Sequence, residues 1–280
     1  MTWPLVRRDR WRTTVRVLAV LALLAPLVLP LVLLVLGALD TPGQSPPQTA
    51  RDLLPDQPGR AGLDAALAMT PLWRQLANTA LVTAVAVPVT VLLASSAGFA
   101  IGAGRGRSAR WLLWVTVLLA LVPPVCLWVP RVVLLRWLGL GGETLTVTFT
   151  ALAATSPLLV LLYALAYRRV PTSTLDAARS ESLGPVATWW RVAMPQVPGA
   201  TFAVAALAFA AHWGNVMEPT LLLTDPERKT AALGVRTLAG LEPTLYPVFL
   251  SAALVVTIPP LLVFLLAQRR IFALTTSEER

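Results

Sequence analysis

Residues 176–195 read DAARSESLGPVATWWRVAMP. Asp176, Arg179, Glu181 and Arg191 crowd into this stretch, whereas the runs on either side, 145–167 and 198–217, hold no Asp, Glu, Lys or Arg. Each flanking run is long enough to cross a hydrocarbon core of about 30 Å, which takes roughly 20 helical residues. The mixed stretch is then a connection between two membrane spans, and the fold turns on how many such spans the chain contains.

Working outward, the 280-residue chain is 56% hydrophobic and 13% charged, against roughly a quarter charged in an ordinary soluble domain. Six apolar runs are expected to span, at about 17–39, 77–101, 111–130, 145–167, 198–217 and 246–268. In lipid their backbone polar groups must be satisfied within each segment, so they are helices and the fold class is an all-α membrane protein. Pro26, Pro30, Pro88, Pro123, Pro124, Pro157, Pro259 and Pro260 fall inside these runs. Kinks are expected there, because proline removes a backbone donor that neighbouring helices or water must compensate.

The net charge of +9 resembles a nucleic-acid footprint until its distribution is followed. With the N-terminus on one side, six spans put fifteen basic residues and five acids on that side, and eight basic residues and nine acids on the other. The positive-inside rule then places both termini in the cytoplasm, and nucleic acid is not an expected partner. The start, MTWPLVRRDRWRTTVR, has the charge of a signal peptide. The apolar run after it outlasts the roughly 7–15 residues of a cleaved signal and no A-x-A site follows before Asp40, so it reads as an uncleaved first span.

Catalytic and metal chemistry find little purchase. Cys126 is the only cysteine, which excludes an internal disulfide and a thiolate cluster, and it reads as a small core residue. His212 is the only histidine; it builds neither a metal site nor a triad and is expected to pack or hydrogen-bond within the bundle. Lys229 is the only lysine and follows no G-x-x-x-x-G-K-[ST], so the chain carries no P-loop for ATP. GAGRGR at 102–107 sits between two spans and reads as a basic turn. No catalytic residue, cofactor or metal is expected.

Residues 40–70 form a Pro- and Gly-rich external loop. At 131–142, RVVLLRWLGLGG is too short to cross and is expected to lie at the outer surface as an interfacial helix, with Arg131 and Arg136 snorkelling to water. Residues 218–244 make the last outer connection. In the cytoplasmic connection 168–197, Pro171 stops the preceding span. Ser173 and Asp176 then resemble a capping box that puts a carboxylate in the first turn of a helix running to about Leu183. Gly184 suits the left-handed residue that ends it, and Pro185 opens a second helix to about 194 with Val186, Trp189 and Trp190 on an apolar side. Ala177 and Ala178 are expected to be exposed between charges. A compact knob and a helix lying on the lipid interface both fit these signals.

The segment resembles the EAA loop of permease subunits of binding-protein-dependent ABC importers. Asp176-Ala177-Ala178-Arg179 opens it, with Asp where the family has Glu, and Val192, Met194 and Pro195 close it at matching offsets. Ser180-Glu181-Ser182 stands for the family's Ile-Asp-Gly, moving the glycine to 184. The likeness is to the carbohydrate-importer branch: Asn78-Thr79 opens the second span, Pro130 and Leu138-Gly139-Leu140 match a further motif, and Trp213 and Pro219 keep a six-residue spacing. It covers about 75–272.

The resemblance implies a six-span type I permease fold, with a first span at 1–40, an external loop at 41–74, a core at 75–272 containing the loop 168–197, and a tail at 273–280. It implies that the chain works with a cytoplasmic ABC ATPase dimer, a second, non-identical permease and an extracytoplasmic solute-binding protein, carrying a sugar or similar polar solute. Asp176 and Arg179 would make polar contacts to the ATPase, Ala177 and Ala178 would permit close approach, Gly184 would set the turn and Pro195 would close the segment. Trp213, Asn215 and Glu218 are candidates for the solute path, since polar groups near a span are functional candidates by default; packing of the bundle is the competing reading. A polyamine, amino acid or anion importer, and a membrane anchor without transport, are the alternatives. A membrane-embedded enzyme is disfavoured by the lack of clustered ionisable groups inside the spans.

Overall fold

The computed structural model describes residues 5–277 except 44, 45, 50, 56, 154 and 155. Among the described residues there is no β-strand. In chain order the helices are α1 (Leu5–Ala38), α2 (Ala61–Met69), α3 (Leu72–Gly102), α4 (Arg107–Ala120), α5 (Val125–Trp137), α6 (Thr146–Ala153), α7 (Pro157–Tyr167), α8 (Thr172–Ser180), α9 (Pro185–Ala187), α10 (Pro198–Trp213), α11 (Met217–Leu222), α12 (Ala231–Leu238) and α13 (Tyr246–Ser277). The tail expected at 273–280 continues α13 as far as Ser277, and 278–280 lie outside the described residues, as do residues 1–4.

Among the described residues, three stretches are long and apolar enough to cross a membrane: Thr13–Ala38, Leu72–Gly102 and Pro243–Leu265. The number rises to five if two bent pairs each count as one span. One is α4 with α5, which meet at 99°; the other is Pro185–Gln196 with α10, which meet at 91°. The expected span 111–130 divides at the first of these bends. Consecutive Pro123 and Pro124 remove two backbone donors there, and the helix stops at Ala120. The expected span 145–167 divides into α6 and α7, with Pro157 at the first position of α7, where its missing N–H costs nothing. Pro26, Pro30, Pro88, Pro259 and Pro260 sit inside continuous helices instead of breaking them.

Two compact units emerge. One comprises 1–70 and 237–255. Within it the Tyr246 hydroxyl donates to the Asp40 carboxylate, Ser251 Oγ donates to the Ala38 carbonyl at 2.7 Å, and the Gly43 N–H bonds the Thr244 carbonyl at 2.9 Å. Gly62 has no room for a side chain: a Cβ there would lie 2.9 Å from the Pro247 carbonyl oxygen and 2.8 Å from Ser251 Oγ.

The other unit comprises 71–236 and 256–280, and it holds the candidate site. Helix α3 is its axis, packed by α6, α7 and α10, with α4 against α3 and α7. Small residues let α3 and α7 approach closely, as in other membrane bundles. A Cβ on Gly98 would fall 2.9 Å from the Val160 carbonyl oxygen and closer still to Tyr163 Cβ. The main core joins Val91, Ala94 and Ile101 of α3 to Val160, Tyr163 and Tyr167 of α7 and Val204 and Ala208 of α10. A second cluster gathers Val82, Val132, Leu135, Val147, Leu222 and Leu233 around α5 and α11. Cys126, expected in the core, is exposed and free.

Candidate functional site

The 168–197 connection folds as a helical pair. Helix α8 begins at Thr172 after Pro171, whose extended backbone ends the preceding turn. No side chain caps it, and no acid lies in its first turn. The capping box expected from Ser173 and Asp176 does not form, because the helix starts before Ser173 and places Asp176 one turn further in. Helix α8 stops at Ser180, and the left-handed residue that ends it is Ser182 (φ 60°). The Leu183 N–H bonds the Ala178 carbonyl at 3.1 Å and the Ser182 N–H bonds the Arg179 carbonyl at 2.9 Å, a complete Schellman closure. Gly184 is instead extended (φ −65°, ψ 163°) and precedes Pro185, so its expected left-handed role falls to Ser182.

Helical structure then runs from Pro185 to Gln196 through a π turn at Thr188–Ala193 and a 3₁₀ turn at Met194–Gln196, which contains the exposed Pro195. The expected apolar side divides in two. Val186 and Trp190 are exposed, while Trp189 turns inward and its indole N–H donates to Ser95 Oγ at 2.9 Å. Ser95 Oγ is also 2.7 Å from the Tyr167 hydroxyl, and the Tyr167 ring stacks on Tyr163 with centroids 5.8 Å apart. Leu175, Ala178 and Ala193 are buried, and Leu175 and Ala193 join the core of α3, α7 and α10. This is a knob seated on the bundle. Ala178 is therefore not exposed as expected; Ala177 is.

Asp176 lies between two cations. Arg105, from the turn between α3 and α4, reaches one carboxylate oxygen at 3.1 Å, and Arg179 reaches the other at 3.0 Å. All three side chains are about half exposed, at 48–57%, so each pair contributes at most about 1 kcal/mol. A docking surface can replace such contacts at little cost.

A second polar cluster lies inside the same unit. The Arg131 guanidinium is 2.6 Å from one Glu218 oxygen, and the Asn215 amide donates to the other at 2.7 Å. The Arg131 and Glu218 side chains are 15% and 10% exposed. Arg131 therefore does not snorkel to water from an interfacial helix: it belongs to α5, which starts at Val125, and is turned toward α11. Arg136 is exposed and donates to the Leu221 carbonyl at 3.1 Å. His212 Nε2 lies 3.0 Å from Thr90 Oγ1. Trp213 is buried; its indole N–H donates to the Val256 carbonyl at 3.1 Å and its ring stacks on Phe209. Of the three candidates for the solute path, Asn215 and Glu218 meet each other, and Trp213 bonds backbone.

Sequence reasoning missed Arg105, Arg131, Ser95 and Tyr167. Arg105 was legible only as one charge in a basic turn. Ser95 carries a usable signal, since Gln75, Thr79, Thr83, Thr90 and Ser95 form a series of buried polar side chains along an otherwise apolar helix. Gln75, Thr79, Thr90 and Ser95, together with Asn78, serve as attachment points. The Asn78 amide donates to the Glu227 and Lys229 carbonyls at 2.8 and 3.0 Å, and Thr79 Oγ1 accepts the Ala231 N–H at 2.8 Å. Thr90 and Ser95 hold α10 and the Trp189 turn.

Comparison with known proteins bears on this geometry. Residues 94–274 match the family described as binding-protein-dependent transport system inner membrane component. An open-reading-frame product of Streptomyces antibioticus described as an ABC transporter permease protein is 29% identical over 219 residues, covering 78% of this chain and 95% of its own. The lactose transport system permease protein LacG of Rhizobium radiobacter is 25% identical over 69% of this chain and 70% of its own. The arabinooligosaccharides transport system permease protein AraQ of Halalkalibacterium halodurans is 22% identical over 72% and 71%. A crystal structure of a bacterial ABC transporter involved in the import of the acidic polysaccharide alginate contains a chain that superposes with a TM-score of 0.73 at 16% identity. The match covers 96% of this chain and 99% of that one.

Proposed function

The chain belongs to the family of binding-protein-dependent transport system inner membrane components, and from that premise we propose that it forms half of the pathway of an ATP-driven importer for a sugar or related polar solute. As a member it is a multi-pass membrane subunit of an ABC importer and not an enzyme. In the proposed complex, ATP is hydrolysed by a separate cytoplasmic ATPase dimer, a second, non-identical permease completes the pathway, and a solute-binding protein delivers the cargo.

The observation that carries the coupling is the knob of α8 and Pro185–Gln196. It offers Asp176, Ala177 and Arg179 on the outside while Leu175, Ala193 and Trp189 bind it to α3, α7 and α10. A push on the knob reaches the spans through packed side chains instead of a slack loop. Such a push is useful only if the ATPase contacts it differently in two states. Lactose and arabinooligosaccharide permeases among the relatives support the sugar reading.

Two measurements test this. The complex is purified in detergent from cells carrying Asp176→Arg or the wild type, and solute uptake is measured in the same cells. Loss of both ATPase association and uptake is expected for the variant; intact association and uptake would remove the knob from the coupling mechanism. The ligand that co-purifies with the cognate binding protein identifies the solute, and an amino acid or polyamine there would overturn the sugar assignment.

A further inference from the structure

A pocket of about 280 Å³ opens where α3 ends, α4 begins and α7 ends. Gly102, Gly104, Gly106 and Ala109 help to line it, and Arg110 and Arg168 supply its charge. Neither arginine has a carboxylate within ion-pair distance among the described residues. The glycines divide by role. Gly102 and Gly104 are packing positions, where a Cβ would collide with the Ala164 and Ala100 carbonyls, whereas Gly106 has a φ of +94° and open space around it. Gly106 is also the N-cap of the 14-residue α4, which receives no side-chain cap. First-turn N–H groups and the positive end of the helix dipole therefore accompany two unpaired guanidinium groups, and the chemistry fits a phosphate.

What the exposed face of α4 carries decides whose phosphate it is. From Arg110 onward α4 presents Trp111, Trp114 and Leu118 at helical spacing, each more than 60% exposed. Tryptophan beside arginine at the end of a span is the arrangement that faces lipid headgroups, with the apolar face continuing toward acyl chains. Basic pockets between membrane helices hold anionic headgroups for the same reasons.

We propose that this pocket binds the phosphate of an anionic phospholipid through Arg110, Arg168 and the first turn of α4, with the acyl chains along Trp111, Trp114 and Leu118. The site goes beyond transport and rests on the membrane reading of the chain, not on its solute. It lies next to Arg105, which holds Asp176 of the knob.

The test is native mass spectrometry of the purified full-length chain with its co-purifying partners. Phosphatidylglycerol and phosphatidylcholine of identical acyl composition are the probes, and inorganic phosphate is the competitor. The wild type is expected to retain phosphatidylglycerol over phosphatidylcholine and to keep it in the presence of phosphate. The double variant R110Q/R168Q is expected to retain it less by on the order of tenfold. R169Q/R191Q removes the same charge from the 168–197 connection outside the pocket and should retain it as the wild type does. Equal retention of the two lipids, equal loss in both double variants, or displacement by inorganic phosphate would each overturn the proposal. The lipid and phosphate comparisons need no variant, so poor folding of either double variant leaves the proposal open to refutation.

Discussion

At Ser182 the backbone takes a conformation that costs a residue with a Cβ about 1–2 kcal/mol, and the Schellman closure at the end of α8 holds it there. Replacing Ser182 by Gly removes that cost while adding about 0.5–1 kcal/mol of chain entropy to lose on folding. The net expectation is a gain of roughly 1 kcal/mol, read as a higher melting temperature in detergent, with S182A giving no such gain. The resemblance places a glycine at 182, and the backbone still turns there although this chain has moved its glycine to 184. A neighbouring Gly-Pro is so strong a local signal that it drew the turn two residues too far. At Glu218 the balance is different, because the carboxylate is buried and the Arg131 side chain is only 15% exposed. Glu218→Ala leaves an uncompensated guanidinium and is expected to cost about 3–5 kcal/mol, whereas Arg131→Met with Glu218→Leu should be nearly neutral in stability. Uptake separates structure from transport: a stable double variant that still transports would take this pair off the solute path.

At the scale of elements, α3 explains most of the unit. Its polar residues hold the 226–231 segment, α10 and the Trp189 turn, and its glycines let α7 come close. Gly98→Ala is expected to cost about 1–3 kcal/mol, because the added methyl meets the Val160 carbonyl and Tyr163 and the helices must part. Thermal unfolding measures it, and an unchanged midpoint would show that the α3–α7 contact is looser than drawn. Trp189→Phe keeps most of the packing and deletes one N–H bond worth about 1 kcal/mol. If the knob transmits force through Ser95 and Tyr167, this variant hydrolyses more ATP per solute imported; an unchanged ratio would reduce Trp189 to a packing residue. The knob's two helices were legible from Pro171, Pro185 and Pro195. Which faces they bury was not, since Ala177 and Ala178 are equivalent in sequence and only docking on the bundle covers one of them.

For the whole molecule, the apolar runs and the scarcity of charge determined by themselves that the chain is helical and lies in a membrane. Those conclusions depend on composition and on the length of each run, which lipid constrains directly. The EAA-like spacing added the family, which the match over 94–274 establishes. Tertiary structure decided the rest. Whether a proline breaks a helix or is carried through it depends on what packs beside it, so Pro123–Pro124 bends the chain by 99° while Pro88 leaves α3 continuous. The pairs that define the site, Arg131 with Glu218, Arg105 with Asp176 and Trp189 with Ser95, join residues 71 to 94 positions apart. Local periodicity carries no information on such pairs, because they exist only once helices from distant parts of the chain have been laid side by side.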